Sequence, residues 1–309
     1  MKEIKIFSPA TIANLSCGFD VLGLCLDNIG DEMIIRKSDE KGIRITKIFG
    51  ADLPLEAEKN VAGVAALAML NHWQTDFGFD IEIYKNIKAG SGIGSSAASS
   101  AGAVFGINEL LGRPFETKDL VQFAMQGEKL ASGSAHADNV APALLGGFTL
   151  IRSYDPLDII KINSPSELYA TVIHPQIELK TSDARSVLKQ NITLKSAIVQ
   201  WGNVGGLIAG LYTNDYDLIG RSLHDEIVEP LRSVLIPGFD QVKNTAIHNG
   251  ALGAGISGSG PSIFALSRGK ETAENVALAM SKVFDEMKLP YEIHVSQINS
   301  NGVKIISHD

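Results

Sequence analysis

The sequence predicts an α+β fold in two domains. Three observations carry that expectation: segments whose apolar residues alternate with period two, longer segments with the three-and-four spacing of helices, and no strict strand–helix–strand rhythm of a doubly wound sheet. The chain has 309 residues, and a single hydrophobic core stops growing at roughly 250 to 300, so a second domain is expected.

The elements follow in order. Ile4 and Ile6 open a strand, and Phe79, Ile81 and Ile83 form another. Between them, residues 61–73 are rich in Ala, Leu and Met and read as a helix. From near Ser95, Ala97, Ala101, Val104, Ile107 and Leu111 recur at three and four until Gly112 and Pro114 stop the pattern. Thr117 is a capping residue for a helix over 117–130 that carries Leu120, Val121, Ala124 and Met125. After Gly146 and Gly147 a strand runs to Tyr154, and Pro156 and Pro165 mark a boundary, giving units 1–160 and 161–309. The second half reads as a strand over 168–173, helices over 194–212 and 216–226, and a helix before Gly250. A strand over 261–266, a helix over 272–287 and a strand over 291–297 complete it.

Composition excludes several function classes. With 27 Lys and Arg against 35 Asp and Glu, the net charge of −8 opposes general nucleic-acid binding, which needs a basic surface. Residues 1–8 hold no apolar stretch of signal-peptide length, and the apolar run 61–70 falls short of the roughly 18 residues that span a bilayer. A soluble cytoplasmic protein without membrane partners is expected. Cys17 and Cys25 are the only cysteines, which excludes a disulfide framework or a thiolate zinc site. The seven histidines lack metal-ligand spacing.

Three segments carry chemistry. Ala89-Gly90-Ser91-Gly92-Ile93-Gly94-Ser95-Ser96 follows a strand and opens a helix. Glycines let backbone N–H groups turn toward an anion, and the helix N-terminus adds positive potential, so the loop suits a phosphate. No Gly-Lys-Ser/Thr closes it as a Walker A loop. Gly253-Ala254-Gly255-Ile256-Ser257-Gly258-Ser259-Gly260-Pro261 is a second such segment. Turn chemistry alone explains one of them, but two, one in each half, point to a cleft between domains. The third runs from Ser8 to Leu24 and sets Asn14 and Asp20 among small and apolar residues. An Asx turn accounts for these two residues as well as a polar site does.

Together and in this order, the three segments resemble the signature motifs of the GHMP small-molecule kinases, named for galactokinase, homoserine kinase, mevalonate kinase and phosphomevalonate kinase. The likeness is to the homoserine kinase branch, through Pro9-Ala10-Thr11 to Gly23-Leu24, Lys59-Asn60-Val61-Ala62-Gly63, His136-Ala137-Asp138-Asn139-Val140-Ala141-Pro142 and Glu229-Pro230-Leu231-Arg232. It runs essentially from end to end, with one departure at Ser16-Cys17, where the family often has Gly-Pro.

The resemblance implies an N-terminal domain like the second domain of ribosomal protein S5 and a ferredoxin-like C-terminal domain. It also implies ATP and Mg²⁺ between them, a homodimer, and ATP-dependent phosphorylation of the side-chain hydroxyl of L-homoserine to O-phospho-L-homoserine, a step toward threonine. By the same resemblance the loop from Ala89 to Ser96, with Ser257 and Gly258, holds the nucleotide, Asn60 lies near the adenine, and Ser96 and Glu128 hold the metal. Arg185 and Arg232 grip the substrate carboxylate, and Asp20 faces the ammonium. Asn14 and His136 complete the polar ring. A mevalonate-type kinase and a non-catalytic metabolite sensor on the same fold are the alternatives. Mevalonate kinases place a catalytic aspartate where a gapless count from Gly146 puts Asn139. An amide takes no proton at neutral pH, so catalysis is expected without a dedicated base, Asn14 and Asp20 orienting the hydroxyl. Asp20 is the rival base.

Overall fold

The computed structural model describes residues 1–177, 179 and 181–309. In chain order the elements are β1 (Glu3–Ala13), β2 (Leu22–Ser38), β3 (Gly42–Phe49), α1 (Val61–Leu70), β4 (Gly78–Tyr84), α2 (Ser95–Leu110), α3 (Leu120–Ser132), α4 (Val140–Leu145), β5 (Phe148–Tyr154) and β6 (Leu157–Ile162). They continue with β7 (Leu168–Pro175), α5 (Thr181–Ser186), α6 (Leu194–Thr213), α7 (Tyr216–Ser222), α8 (Glu229–Arg232), α9 (Phe239–His248), β8 (Gly253–Ile256), β9 (Ile263–Arg268), α10 (Lys270–Glu286), β10 (Tyr291–Gln297) and β11 (Lys304–His308).

The first sheet has the order β11-β1-β2-β4-β3, with β5 also on β2 and β6 on β5. Only β3 and β4 pair in parallel within it. β2 is 17 residues long, enough to pair with β1 along most of its length, with β4 through residues 32–38 and with β5 through 22–24. The alternating residues Ile4, Ile6, Met33, Ile35, Phe79, Ile81 and Ile83 all enter one core beneath α1, α2 and α3. α2 is buried on nearly every side, which explains its small residues. A Cβ on Gly102 would come within 2.9 Å of Met33 Sδ, and one on Gly106 within 2.5 Å of Ile35 Cδ1, so the glycines let this helix lie close on the sheet.

The second sheet, β10-β7-β9-β8, is antiparallel throughout. One face packs Ile173 and Ile263 against Val242, Val276, Met280 and Phe284 of α9 and α10. Ala170, Val172, Phe264 and Leu266 share another core with Leu207 and Leu211 of α6 and with Ile12, Leu22 and Leu24 of the first sheet. That shared core ties the two sheets together beside the glycine-rich segments. β6 spans the expected boundary at 160/161, and β11 returns to pair with β1.

Three expected elements change shape: the helix expected over 117–130 begins at Leu120, with Asp119 rather than Thr117 at its N-cap. The segment 253–261 is not one loop: residues 253–256 form β8, and the turn to β9 begins at Ser257. The helix expected over 216–226 ends at Ser222, because the Asp225 carboxylate accepts the backbone N–H groups of Ile227, Val228 and Glu229 at 2.8–3.0 Å and turns the chain into α8.

Candidate active site

The glycine-rich segments and the Asn14–Asp20 loop meet at one cavity of about 1170 Å³. Gly90, Gly92 and Gly94 have φ of 75°, 81° and 72°, left-handed values that favour glycine. A Cβ on Gly92 would lie 2.6 Å from the Gly260 carbonyl and 2.8 Å from that of Ser257. The two loops are therefore in contact, and hydroxyls fasten them: Ser257 Oγ donates to the Gly92 carbonyl at 2.7 Å and Ser262 Oγ to that of Ser91 at 2.6 Å. From the other side, Thr11 N donates to the Ile93 carbonyl at 3.1 Å.

The candidate nucleotide residues divide accordingly. Ala89, Gly90, Gly92, Gly94, Ser95, Ser96 and Gly258 line the cavity. Ile93 turns into the shared core, Ser91 is buried, and Ser257 lies behind the loop with its hydroxyl committed to Gly92. Asn60 spends both ends of its amide locally, accepting from Ala62 N at 3.0 Å to cap α1 and donating to the Pro54 carbonyl at 2.8 Å.

Beside the loop from Ala89 to Ser96, Glu128 is brought by α3 to the start of α2, where the Ser96 hydroxyl hydrogen-bonds it. Burial pushes its carboxyl up to about 7, opposed by that hydrogen bond and by the charge of Lys85. Lys85 stands at the end of β4 and is paired with Asp31 in the interior. Its ammonium also donates to the Ser95 carbonyl at 2.9 Å and to Ser99 Oγ at 3.0 Å, which ties β2, β4 and the N-terminus of α2 together. Glu128 Oε1 is buried and has no hydrogen-bond partner among the described residues.

At the opposite end stand two guanidinium groups and a carboxylate. Arg185 from α5 makes a forked pair with Asp20, Nη2 to Oδ1 at 2.8 Å and Nη1 to Oδ2 at 3.3 Å. Arg232, 2% exposed, is held by Nε to the Ala184 carbonyl at 2.8 Å and Nη1 to the Gly258 carbonyl at 3.1 Å. Both guanidinium groups lie on Phe19, 5.4 and 5.0 Å from its ring centroid. Burial and the neighbouring Arg185 lower the Arg232 pKa to about 10. Asn14 is fully engaged, donating to the Gly258 carbonyl at 2.7 Å and accepting from Asp20 N at 3.0 Å. Its loop runs through three consecutive left-handed residues, Asn14, Leu15 and Ser16, with φ of 73°, 45° and 59°, a strain that such turns hold only where the surroundings fix them. His136 Nδ1 is 3.8 Å from Asp20 Oδ1. Burial lowers the His136 pKa, with Asp20 opposing and Arg185 adding to the shift.

Asn139 Oδ1 accepts from Thr11 Oγ1 at 2.7 Å, so its amide is tied to β1. Its neighbour Asp138 was not among the expected site residues, yet it lines the cavity and is 4% exposed. Burial, reinforced by Asp20 and Glu128 and opposed by Arg185, pushes its carboxyl up to about 7. Asp138 is thus a second carboxylate beside Asp20 in this cavity. Asp138 lies inside a motif segment, and a carboxylate among Ala, Val and Pro was the signal that could have found it. Lys85 closes an ordinary alternating strand and left no comparable signal.

Two family models match the chain: GHMP kinases N terminal domain over residues 60–147 and GHMP kinases C terminal over residues 207–286. The homoserine kinase of Chlorobium phaeobacteroides is 51% identical, across 99% of this chain and 100% of its own. The chain belongs to the GHMP kinases, in the homoserine kinase family. A crystal structure of homoserine kinase from Cytophaga hutchinsonii, 56% identical, superposes with a TM-score of 0.96 over 99% of this chain and 98% of that one. L. major mevalonate kinase, crystallised in complex with R-mevalonate, is only 18% identical yet reaches a TM-score of 0.69 over 95% of this chain and 96% of its own; it shares the fold.

Proposed function

We propose that this kinase transfers the γ-phosphoryl group of ATP to the side-chain hydroxyl of L-homoserine, giving O-phospho-L-homoserine. The observation that carries the proposal is identity of 51% over essentially the whole length of both chains with a homoserine kinase. The site supports it with charges of both signs: the Asp20–Arg185 fork and Arg232 offer an anion and two cations to a zwitterion, which opens that fork so that Arg185 and Arg232 take the carboxylate and Asp20 the ammonium. Asn14 and His136 border that pocket.

A divalent cation fits the phosphate side. The unpartnered Glu128 Oε1 and the Ser96 hydroxyl are hard oxygen donors of the kind magnesium takes, with phosphate and water filling its other positions. When bound, magnesium neutralises charge on the phosphates. The N–H groups of the loop from Ala89 to Ser96 cradle those phosphates, while Ser257 and Gly258 brace it and Asn60 sets the adenine-side wall at the start of α1. With Asn139 tied to Thr11, rate comes from positioning and charge neutralisation rather than from a side-chain base at that position.

The working unit is a cytoplasmic homodimer whose subunits divide into 1–160 and 161–309, with β11 crossing back. A stripe of Leu194, Ile198 and Trp201 on α6, 69%, 53% and 58% exposed, supports self-association. ADP release measured over a panel of homoserine, mevalonate and galactose tests the substrate. Homoserine is expected to turn over fastest, and faster turnover of either competitor overturns the assignment.

A further inference from the structure

The roles above leave the Asp138 carboxyl unused. It is 4% exposed and lines the cavity, and its Oδ1 is buried without a hydrogen-bond partner among the described residues. An orphaned buried acceptor is costly and marks a position completed by something else. Its place is specific: Asp138 feels the charges of Asp20 and Arg185 from the substrate end and of Glu128 from the phosphate end. The backbone presenting it is fixed on both sides. A Cβ on Gly23 would collide with the Asp138 carbonyl, so β2 runs directly against this residue. Asn139 is held by Thr11, and Ala137 N donates to Tyr154 Oη at 3.3 Å while that hydroxyl donates to the Asp20 carbonyl at 2.8 Å.

A homoserine whose carboxylate sits on Arg185 and Arg232 points its hydroxyl from that end toward the phosphate loop. Three other groups there are already engaged, while His136 Nε2 and the donor Arg185 Nε are buried without a partner among the described residues. Asn14 uses both ends of its amide, Asp20 holds Arg185, and Asn139 Oδ1 holds Thr11. We infer that Asp138 is a catalytic residue whose carboxylate accepts the hydrogen bond of the substrate's side-chain hydroxyl and aims that hydroxyl at the loop from Ala89 to Ser96. The inference rests on the homoserine assignment and replaces the expectation that Asn14 and Asp20 orient the hydroxyl.

The test compares L-homoserine with L-2-aminobutyrate, the same amino acid with hydrogen in place of the hydroxyl, on the full chain and on Asp138→Ala and Asp138→Asn. Calorimetry reads the affinity for each ligand, ADP release reads turnover, and a melting curve checks that each variant is folded. Asp138→Ala is expected to lower kcat/KM for homoserine by about 10- to 150-fold, the effect of losing a hydrogen bond to a charged group. Affinity for L-2-aminobutyrate stays within twofold, and Asp138→Asn, which keeps an acceptor oxygen, falls between. Equal losses for both ligands overturn the inference, because Asp138 then holds the ammonium or merely shapes the pocket. Unchanged homoserine turnover in Asp138→Ala overturns it while leaving the substrate assignment intact. A wild-type chain that releases no ADP with homoserine overturns both.

Discussion

Arg185 and Arg232 are held differently, and that sets what their loss does. Arg232 satisfies two carbonyls from a site 2% exposed, so Arg232→Ala leaves buried acceptors unpaired and lowers Tm as well as substrate affinity. Arg185 pairs with Asp20 at a partly exposed position, so Arg185→Ala costs little stability. Each change is expected to raise the homoserine KM by about 10- to 150-fold with the ATP KM nearly unmoved, and the double variant loses less than the product because both act on one carboxylate. Steady-state kinetics in both substrates with melting curves checks this. A homoserine KM within twofold of wild type for Arg185→Ala would show that its work is to hold Asp20. Motif position singled these arginines out from surface charges, and both line the cavity. Ser257 and Asn60 were less legible: a hydroxyl in a glycine-rich turn looks the same in sequence whether it points at a phosphate or, as here, at the Gly92 carbonyl. The direction of a side chain from one short turn also separates Asp138, which lines the cavity with its Oδ1 unpartnered among the described residues, from Asn139, tied to Thr11.

The loop from Ala89 to Ser96 behaves as a unit with the turn between β8 and β9. Gly92→Val would press on the Gly260 and Ser257 carbonyls, and Gly94→Val would collide with Thr11 Oγ1, both from left-handed backbone. Both are expected to weaken ATP binding strongly in calorimetry. Gly90 is the control, since a Cβ there meets nothing within 4 Å, and Gly90→Ala carries only the cost of its φ of 75°. Ser257→Ala removes the hydroxyl that fastens Gly92 and should weaken ATP several-fold while leaving homoserine binding in place. ATP affinity unchanged in both valine variants would move the triphosphate elsewhere. The same elements show where sequence patterns stop. Strands with clean alternation, such as β4, and helices with clear stops, such as α2, were legible. β2 was not, since Asp27, Asn28, Gly30 and Asp31 interrupt its pattern. Asp31 belongs inside a strand only because Lys85, Asn86 N and Ile87 N satisfy it from β4 and the turn beyond, and that partner lies more than fifty residues away.

At the scale of the whole molecule, the cavity places two carboxyls where folding must bury them. Asp138 moves from an ordinary value of 3.8 to about 7 and Glu128 from 4.5 to about 7, both chiefly through burial. A folded chain that keeps protons the unfolded chain has lost is destabilised as pH rises. Below about pH 4 both states hold these protons and the contribution is intact. It is lost progressively up to about pH 7, and above that the folded protein carries both buried charges. Lowered histidines, His136 among them, work in the opposite sense near neutrality, so the net profile of the wild-type chain does not isolate the carboxyls. The difference between variants does. Asp138→Asn cannot ionise, so relative to wild type it should gain stability steadily from pH 4 to pH 7 and hold a constant advantage above. A tenfold change in proton affinity is worth about 1.4 kcal/mol, so the rise of Asp138 from 3.8 to about 7 bounds that advantage at about 4 kcal/mol. Glu128→Gln should follow the same course with a smaller amplitude. Denaturant unfolding of the nucleotide-free chain at pH 5, 6, 7 and 8 measures it, and a stability difference independent of pH would mean that water reaches these carboxyls and that the cavity floor is open.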